Sequence, residues 1–355
     1  MSFIQLNSVT KNFPKFTIGP CDLSIEKGEF FGIFGPPSSG KTSILKIILG
    51  LLSPDSGSFY LDNEEITHLA AHERNFSMVF QNLALFPHMS GRDNILFPAI
   101  ESNIPESVYN ERFDEVVDVL HISHILHKSP AQMSGGEKQR IALGRAFINK
   151  SSAILLDEPL SALDARLREE MKIELKRLQI EMNQTFVYVS HDEEEVLSIS
   201  DRVGIMIDGK IRQIDDPSVV YDYPNSADVG RLIGSPPMNF FPASFDNSSK
   251  HLHIPNLDLK VEIERDSELP RNLLAGVRPE DFQLLEVANE DSFKSLVLNF
   301  EPLGSYTIVN LQCPHSEDVF KIRLNGQYNF EFKQPVDLAV LSNKVHLFNE
   351  SGDLV

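Results

Sequence analysis

The stretch GPPSSGKT, residues 35–42, constrains this chain more than any other feature of its sequence. It follows a short apolar run, GEFFGIFG, and its Gly40, Lys41 and Thr42 open a segment of helical character, KTSILKIILGLL. In the pattern G-x4-G-K-[ST], glycines let backbone N–H groups wrap phosphates, the lysine bridges β and γ oxygens, and the hydroxyl is placed to bind Mg²⁺. The sequence therefore predicts a strand, a phosphate-binding loop and a helix in that order.

Strand-like and helix-like segments alternate through most of the N-terminal two thirds of the chain. SAILLDEP (152–159) and TFVYVSH (185–191) are apolar runs with the length of buried strands. Between them, apolar residues recur at helical spacing, namely Leu163, Leu167, Met171, Leu175 and Leu178. Strands that are apolar on both faces and separated by helices predict an α/β fold with a mainly parallel sheet.

Two parts of the chain depart from this alternation. Residues 83–150 predict a helical insertion, because one helical face there is apolar, made of Tyr109, Phe113, Val116, Val117 and Leu120. After GSPPMNFFP (234–242), short alternating runs such as YTIVNLQ predict a small β-barrel-like domain, and we interpret the proline-rich stretch at 236–242 as a linker. An Asn-Gly pair at 325–326, between FKIRL and QYNFEF, predicts a hairpin in that domain.

The composition excludes several classes of function. The net charge is −19, which argues against nucleic acid as the main partner because that partner needs a basic face. Cys21 and Cys313 lie far apart without metal-type spacing, so we expect neither a disulfide framework nor a zinc site. The N-terminus has no signal-peptide pattern, and the strongest apolar run, ILKIILGLL, is far shorter than the roughly 20 residues that span a bilayer. We expect any membrane association to come through a partner.

Asp157 and Glu158 follow the apolar run AILL. A carboxylate at that place is costly unless it holds a metal shell, which makes Asp157 a candidate Mg²⁺ residue. Glu158 is suited to polarise an attacking water. Such a pair is often only the end of a strand, and the phosphate-binding loop upstream favours the functional interpretation.

MSGGEKQR (133–140) is a second segment that suits an anion. A serine and two glycines precede a helical run, so backbone N–H groups and the positive end of the helix dipole face an incoming charge. The chain thus carries two phosphate-binding segments about a hundred residues apart, but only one of each kind.

Four other signals are weak when taken alone. Gln81 after an apolar strand is usually a surface turn, Phe13 is commonly a core residue, and His191 at a strand end is more often structural than catalytic. His121, His124 and His127 have a spacing that could begin a metal site, but cationic side chains also suit a helix C-terminus, and we expect no metal there.

The order of the motifs resembles that of the ATP-binding cassette (ABC) ATPases. It runs GPPSSGKT, Gln81, MSGGEKQR, ILLDEP, SALD and His191. In that family, the SGGE helix caps the ATP that a second copy holds. The resemblance therefore implies a head-to-tail homodimer with two ATP molecules between the chains. It also explains why each chain has one segment of each kind.

The resemblance implies a role for each matching residue. Lys41, Glu158 and His191 are the catalytic residues, with Glu158 polarising the attacking water and His191 contacting the γ-phosphate. Thr42, Gln81 and Asp157 serve Mg²⁺, with Gln81 linking it to the transporter. The implied ATP-binding set is Phe13, which stacks on adenine, Gly35, Pro36, Pro37, Ser38, Ser39, Gly40, Lys41, Thr42, Ser43, Gln81, Ser134, Gly135, Gly136, Glu137 and Asp164. Glu137 stands where the usual signature has Gln, a variant that the superfamily tolerates.

The C-terminal part extends the resemblance over the whole chain. GSPPMNFF, GVRPEDF, EPLGSYTIV and KVHLF resemble the regulatory domain of the ATPases that energise maltose-type sugar importers. The expected fold is a P-loop core of ABC type at 1–235, with a helical subdomain at about 83–150, and a β-rich OB/TOBE-type domain at 236–355.

The function implied is that of an ATPase subunit of an ABC importer for sugar, polyol or glycerol phosphate. Its expected partners are a second copy, membrane permease subunits and, indirectly, a solute-binding protein, with the ATPase peripheral on the cytoplasmic face of the membrane. Iron, sulfate and polyamine importers use related ATPases and stay open as alternatives. A soluble ABC ATPase acting on DNA or ribosomes, or a P-loop kinase, fits less well: the first needs a basic face and the second has no use for SGGE.

Overall fold

The computed structural model describes residues 2–263, 268–288 and 292–355. The chain forms two compact units, Met1–Pro217 and Ser218–Val355. Within the described ranges, no helix has both the length and the apolar character that crossing a bilayer requires. The domain boundary expected at 235/236 stays a prediction.

The first unit combines strands and helices. Its strands are β1 (Ile4–Phe13), β2 (Phe16–Ile25), β3 (Phe30–Phe34), β4 (Ser56–Leu61), β5 (Glu64–Glu65), β6 (Phe76–Val79), β7 (Ala153–Asp157), β8 (Thr185–Ser190), β9 (Arg202–Ile207) and β10 (Lys210–Asp215). Its helices are α1 (Lys41–Leu49), α2 (Gly91–Glu101), α3 (Glu106–Leu120), α4 (Gly135–Phe147), α5 (Ala165–Glu181) and α6 (Glu193–Ile199).

A six-stranded sheet in the order β10-β9-β3-β8-β7-β6 forms the centre of this unit. The pairs β3–β8, β3–β9, β7–β8 and β6–β7 are parallel, and only β10 runs antiparallel to its neighbour. Every residue of β3, β7 and β8 is buried, as a parallel sheet covered on both faces requires. The predicted α/β class is confirmed. The carboxyl ends of β3 and β7 bring the phosphate-binding loop and Asp157 to one edge.

A second sheet, in the order β2-β1-β4-β5, is antiparallel. The sequence pattern does not predict this sheet, because the apolar alternation of residues 4–25 is short and mixed with polar positions. The β1–β2 hairpin pairs Phe13 with Phe16, and the two rings stack with centroids 6.5 Å apart. The hairpin thereby presents an aromatic surface next to the loop that follows β3.

Helices α2, α3 and α4 follow β6, as predicted for the insertion at 83–150. The predicted apolar face of α3 is mostly buried, with Phe113, Val116, Val117 and Leu120 packed inside. Helix α5 likewise buries Met171, Leu175 and Leu178 from the predicted pattern.

The second unit is rich in antiparallel strands. Its elements are α7 (Pro217–Asp222), which begins at the boundary, α8 (Ala227–Leu232), β11 (Asn239–Asp246), β12 (His251–Ile254), β13 (Leu259–Glu262), β14 (Asn272–Val277), β15 (Phe282–Leu285), β16 (Phe293–Pro302), β17 (Tyr306–Gln312), β18 (Val319–Asn325), β19 (Pro335–Val340) and β20 (Val345–Phe348). They form two five-stranded sheets, β13-β12-β11-β14-β20 and β15-β19-β16-β17-β18, around one apolar core. This arrangement confirms the predicted β-rich C-terminal domain.

Two local predictions for this unit are wrong. Residues 239–242, interpreted as part of a linker, form the first half of β11, because their backbone pairs with β14. The hairpin predicted around Asn325 and Gly326 lacks its second strand. Residues 327–334, all within the described ranges, contain no strand, and the ring of Phe330 instead packs on Phe300 at 5.8 Å between centroids.

Candidate functional site

The loop between β3 and α1 has the backbone of a phosphate cradle. Ser38 and Gly40 have positive φ values of 64° and 104°. Gly40 is the N-cap of α1 and offers no side-chain cap, so the first amides of that helix face outward without an internal side-chain acceptor. A Cβ atom on Gly35 would lie 2.1 Å from the carbonyl oxygen of Met206, so only glycine fits there. Backbone amides in such a turn form a concave site for an anion.

Lys41 is held at this loop by its own backbone. Its Nζ donates to the carbonyl oxygens of Gly35 and Pro36 at 2.8 and 2.9 Å. Burial lowers the pKa of the Lys41 ammonium, and the nearby carboxylates of Glu158 and Asp157 act in the opposite direction. The ammonium thus lies preformed at the rim of the cradle.

Thr42 and Asp157 form a pair of oxygen ligands. The Thr42 hydroxyl donates to Asp157 Oδ1 at 2.9 Å. Burial raises the pKa of the Asp157 carboxyl, and the bond from Thr42 counteracts that shift. Hydroxyl and carboxylate oxygens are the ligands that Mg²⁺ prefers, with phosphate and water completing its shell. The donor set fits the predicted Mg²⁺ role of both residues.

The Glu158 carboxylate contacts two other predicted site residues, Gln81 and His191. Gln81 Nε2 donates to Glu158 Oε2 at 3.1 Å, and His191 Nδ1 lies 3.0 Å from Glu158 Oε1. Glu158 has a φ of 46°, a costly conformation for a residue with a side chain, and its amide donates to the Val189 carbonyl at 2.9 Å. This backbone turn separates the Glu158 carboxylate from Asp157 and directs it to Gln81 and His191.

A cleft of about 400 Å³ runs along this group of residues. Its lining consists of Phe13, Phe16, Pro37, Ser38, Gly40, Lys41, Thr42, Ser43 and Glu158. Phe13 was predicted as a site residue, and Phe16 was not. The signal was present in NFPKF, since a short turn between two aromatic residues places both on one hairpin. The predicted loop residues Gly35, Pro36 and Ser39 are not among the residues that line the cleft. The Ser39 hydroxyl oxygen is buried with no hydrogen-bond partner among the described residues.

The segment at 133–140 is placed differently. Ser134 caps α4: its Oγ accepts from the Glu137 amide at 3.3 Å, and Glu137 Oε2 accepts from the Ser134 amide at 2.7 Å. Cβ atoms built on Gly135 and Gly136 would lie 3.1 and 3.0 Å from side-chain atoms of Leu163 and Leu167. The prediction of free backbone amides at this helix start is therefore only partly correct. The amides of Ser134 and Glu137 already donate to acceptors within the chain.

Asp164 belongs with this second group. It is the N-cap of α5, and its Oδ1 accepts from the Leu167 amide at 3.0 Å. The structure therefore sorts the predicted residues into two sets: one surrounds the cleft, and the other gathers at the starts of α4 and α5. Residues of the second set are not among those that line the cleft in the part of the chain that the structure describes.

No group of three or more His, Cys, Asp or Glu side chains within the described ranges is arranged to hold a metal ion. His121 is the left-handed C-cap of α3, with a φ of 53°. A metal bound by this chain near the cleft would have to combine the Thr42–Asp157 pair with oxygens of a ligand.

Three family models match parts of this chain. Residues 18–161 match the family described as ABC transporter, residues 234–282 the MalK OB fold domain, and residues 275–348 the TOBE domain. Among curated proteins, the maltose/maltodextrin import ATP-binding protein MalK of Escherichia coli is 34% identical, covering 99% of this chain and 97% of that protein. The sn-glycerol-3-phosphate import ATP-binding protein UgpC of Vibrio cholerae is 37% identical, covering 93% of this chain and 88% of that protein.

Solved structures are similar to part of this chain. The ATP-binding cassette MJ0796, in a dimeric post-hydrolysis state bound to ADP and Pi, is 30% identical with a TM-score of 0.53, covering 60% of this chain and 98% of that chain. The protein cbiO1 of Clostridium perfringens, part of the transporter complex cbiONQ, is 25% identical with a TM-score of 0.58, covering 62% of this chain and 91% of that chain.

Proposed function

The chain belongs to the family of ABC transporter ATPases, which bind and hydrolyse ATP, and from this premise we propose that it energises an importer for a sugar, a polyol or a glycerol phosphate. We propose further that it works as a head-to-tail homodimer. Each ATP then lies between the cleft of one chain and the α4 start of the other.

The separation of the two residue sets carries this proposal. We infer that a site using both sets takes them from two copies, because Ser134 to Glu137 and Asp164 are not among the residues that line the cleft in the described part of one chain. The post-hydrolysis structure of MJ0796 is itself dimeric, at 30% identity to this chain. Two identical half-sites then complete each other by two-fold symmetry.

Within the cleft, each residue has a distinct task. The amides of residues 38–43 and the Lys41 ammonium bind the phosphate groups, while Phe13 and Phe16 offer their rings to the base. Thr42 and Asp157 would hold Mg²⁺, which when bound neutralises charge on the β and γ oxygens.

The chemical step needs a water that is oriented and polarised. Glu158 Oε1 and Oε2 are held by His191 and Gln81, so the carboxylate is fixed in direction and can accept a proton from that water. His191 Nδ1 lies on the Glu158 carboxylate, and the rest of the imidazole is free to contact the γ-phosphate. Gln81 can report the state of the site to the loop that follows it.

The expected membrane partners are permease subunits, with the chain peripheral on the cytoplasmic face. We propose that the loop at 82–90 receives a permease segment, because Leu83, Leu85, Phe86 and Met89 are apolar and only partly buried. Phe86 packs on Phe97 of α2 with ring centroids 4.7 Å apart, so part of this surface also packs the loop against the helical subdomain.

The solute class is inferred from relatives. The proteins named for maltose/maltodextrin, sn-glycerol-3-phosphate and oligosaccharide import are 34%, 37% and 34% identical to this chain. All three names describe polyhydroxylated solutes, and the ATPase itself does not need to contact the solute.

Reconstitution tests the proposal. The chain should copurify with its permease subunits, and proteoliposomes containing the complex should take up a sugar or glycerol phosphate only with ATP, Mg²⁺ and the solute-binding protein. The Glu158→Gln variant in the same complex is the control without turnover. Uptake of iron, sulfate or a polyamine in place of a sugar would contradict the solute class. ATPase activity in a chain that associates with no permease would contradict the importer function.

A further inference from the structure

Lys128, which neither the family assignment nor the catalytic scheme uses, forms a charged pair with Glu137 at the start of α4. Lys128 Nζ lies 2.7 Å from Glu137 Oε1, and the other oxygen of the same carboxylate accepts from the Ser134 amide at 2.7 Å. Each oxygen of Glu137 therefore has its own donor. The side chains of Lys128 and Glu137 are 30% and 22% exposed, so the pair is partly withdrawn from water.

The backbone of Lys128 is fixed on both sides. Its carbonyl accepts from the Gly91 amide, at the start of α2, at 2.9 Å, and its own amide donates to the Ile125 carbonyl at 3.0 Å. The lysine is therefore placed beside α4 by its neighbours in the helical subdomain. Its position does not depend on the bond to Glu137.

Glu137 creates an electrostatic conflict at this helix end. Its carboxylate stabilises α4 by completing a capping box and by lying near the positive end of the helix dipole. The same carboxylate places a negative charge in the first turn. Under the proposed function, on which this argument rests, the highly charged γ-phosphate of the ATP held by the second copy must approach that turn. Like charges at such short range repel, most strongly when water is excluded.

We infer that Lys128 is a positioning residue that cancels the charge of Glu137 and so allows the start of α4 to accept the phosphate of an ATP bound to a second copy of this chain. The pair keeps the capping carboxylate and removes its net charge. The Ser134 hydroxyl accepts from the Glu137 amide and keeps its own hydrogen to donate. The amides of Gly135 and Gly136 remain directed out of the helix start.

The ionisation of Glu137 agrees with this assignment. The hydrogen bond from Lys128 first, and then the Ser134 amide, lower the pKa of the Glu137 carboxyl. The carboxyl is therefore charged at neutral pH, and its charge has to be offset by a cation rather than removed by protonation.

A charge cycle in the Glu158→Gln background tests the inference. That background is expected to bind ATP and to hydrolyse it about 10²–10⁴-fold more slowly than the unsubstituted chain. The ATP concentration that gives half-maximal dimer can then be read by analytical ultracentrifugation with Mg²⁺ present. Lys128→Gln leaves Glu137 unpaired and should raise that concentration about three- to tenfold. Glu137→Gln keeps a capping side chain and leaves the charge of Lys128 uncompensated. It should therefore lower or preserve the ATP concentration that gives half-maximal dimer. The double variant should return close to the parent.

Two controls separate charge from structure. Lys150→Gln removes an equal charge from an exposed pair with Glu115, beyond the end of α4, and should leave dimerisation unchanged. The penalty of Lys128→Gln should shrink between about 0.05 and 0.5 M salt, because screening weakens charge repulsion but not a packing defect. Binding of a fluorescent ATP analogue to monomers should be equal in all variants.

The outcomes are distinguishable. A parent that binds ATP yet stays monomeric contradicts the proposed dimer and, with it, this role of Lys128. A parent that dimerises together with a Lys128→Gln variant that dimerises equally well overturns the inference alone. The inference also fails if the double variant is as weak as Lys128→Gln, since Lys128 would then act by a contact of its own.

Discussion

Helices α1 and α4 both begin at a segment predicted to bind phosphate, and their first turns are built in opposite ways. At α1 the N-cap is Gly40, with a φ of 104° and no side-chain cap. At α4 the N-cap is Ser134, in extended backbone, and a complete capping box with Glu137 closes the turn. Because capping acceptors compete with a ligand for the same amides, the start of α1 is open to phosphate and the start of α4 is only partly so.

The uncapped start of α1 and the capped start of α4 suit the different ways in which the two helix starts would bind phosphate. An open helix start gains its acceptors from a ligand, so the cleft around Lys41 is suited to hold a nucleotide through the whole cycle. A capped start is stable without a ligand and can offer a hydroxyl and a few amides for a shorter time. In the proposed dimer, α4 must release the phosphate whenever the two chains separate. A helix end that is stable on its own makes that release less costly.

The largest effect should come from the open end. Lys41→Ala removes the ammonium that the Gly35 and Pro36 carbonyls hold beside the cradle. We expect nucleotide binding to fall below detection in isothermal titration calorimetry with ATP and Mg²⁺. The control is Lys46→Ala, an exposed lysine of the same helix, which should bind within about threefold of the parent because a surface charge contributes little. Undiminished binding by Lys41→Ala would refute the assignment of the cradle.

The second prediction joins the two ends. Glu158→Gln keeps the shape and the bond from Gln81 but removes the base, so hydrolysis should fall by about 10²–10⁴-fold, the usual range for a lost general base. Nucleotide binding should persist, and ATP should trap a dimer visible by gel filtration. Glu181→Gln, in an exposed pair with Arg177, is the matched change that should leave the rate unaltered. If Glu158→Gln hydrolysed ATP at the wild-type rate, Glu158 would not be the residue that polarises the attacking water.

The open end was largely predictable from the sequence. Glycine and lysine at fixed spacing after an apolar strand allow only one local structure, so GPPSSGKT predicted β3, the loop and α1 together. The pairing of Thr42 with Asp157 also follows, because the carboxyl ends of parallel strands meet at one sheet edge. The family assignment, and with it the ATPase activity, is confirmed by the comparisons.

The capped end was less predictable, since its chemistry depends on residues that meet only in the folded chain. Lys128 lies nine residues before Glu137 in sequence, and no local pattern marks the pair. The φ of 46° at Glu158 is likewise imposed by the surrounding sheet and not by a glycine. The wrong hairpin at Gly326 shows the same limit, since Phe330 packs on Phe300 and the residues after Gly326 form no second strand. Aromatic residues in short segments pack where tertiary contacts place them.

A third prediction compares two serine caps. Ser134→Ala and Ser90→Ala each remove an N-cap whose Oγ accepts from the amide three residues on, at 3.3 and 3.1 Å. Each change should cost about 1 kcal/mol, or a fall of roughly 2–4 °C in the melting temperature followed by circular dichroism. Only Ser134→Ala should also slow ATP hydrolysis, by about 10- to 100-fold, because only that hydroxyl is proposed to donate to phosphate. Equal rates in both variants would restrict Ser134 to a capping role.

The last prediction concerns the other end of α4, where Arg145 reaches the loop that follows Gln81. Its Nη1 and Nη2 atoms donate to the carbonyls of Ala84 and Leu83 at 2.6 and 2.7 Å.

Leu83 and Ala84 have φ values of 60° and 46°, and non-glycine residues in that region persist only where the surroundings hold them. Arg145→Gln should therefore let the loop relax and loosen the Gln81 amide from Glu158. Hydrolysis should fall about three- to tenfold with nucleotide affinity unchanged, since Arg145 acts on the water-polarising carboxylate only indirectly, through the loop and Gln81. Arg112→Gln, which loses one long bond to the Ile148 carbonyl at 3.5 Å, is the control and should keep its rate. A loss of affinity in place of rate would show that Arg145 supports the fold of the cleft rather than the placement of Gln81. Helix α4, which presents Ser134 at its start, would then have no influence on the Glu158 carboxylate through Arg145 near its end.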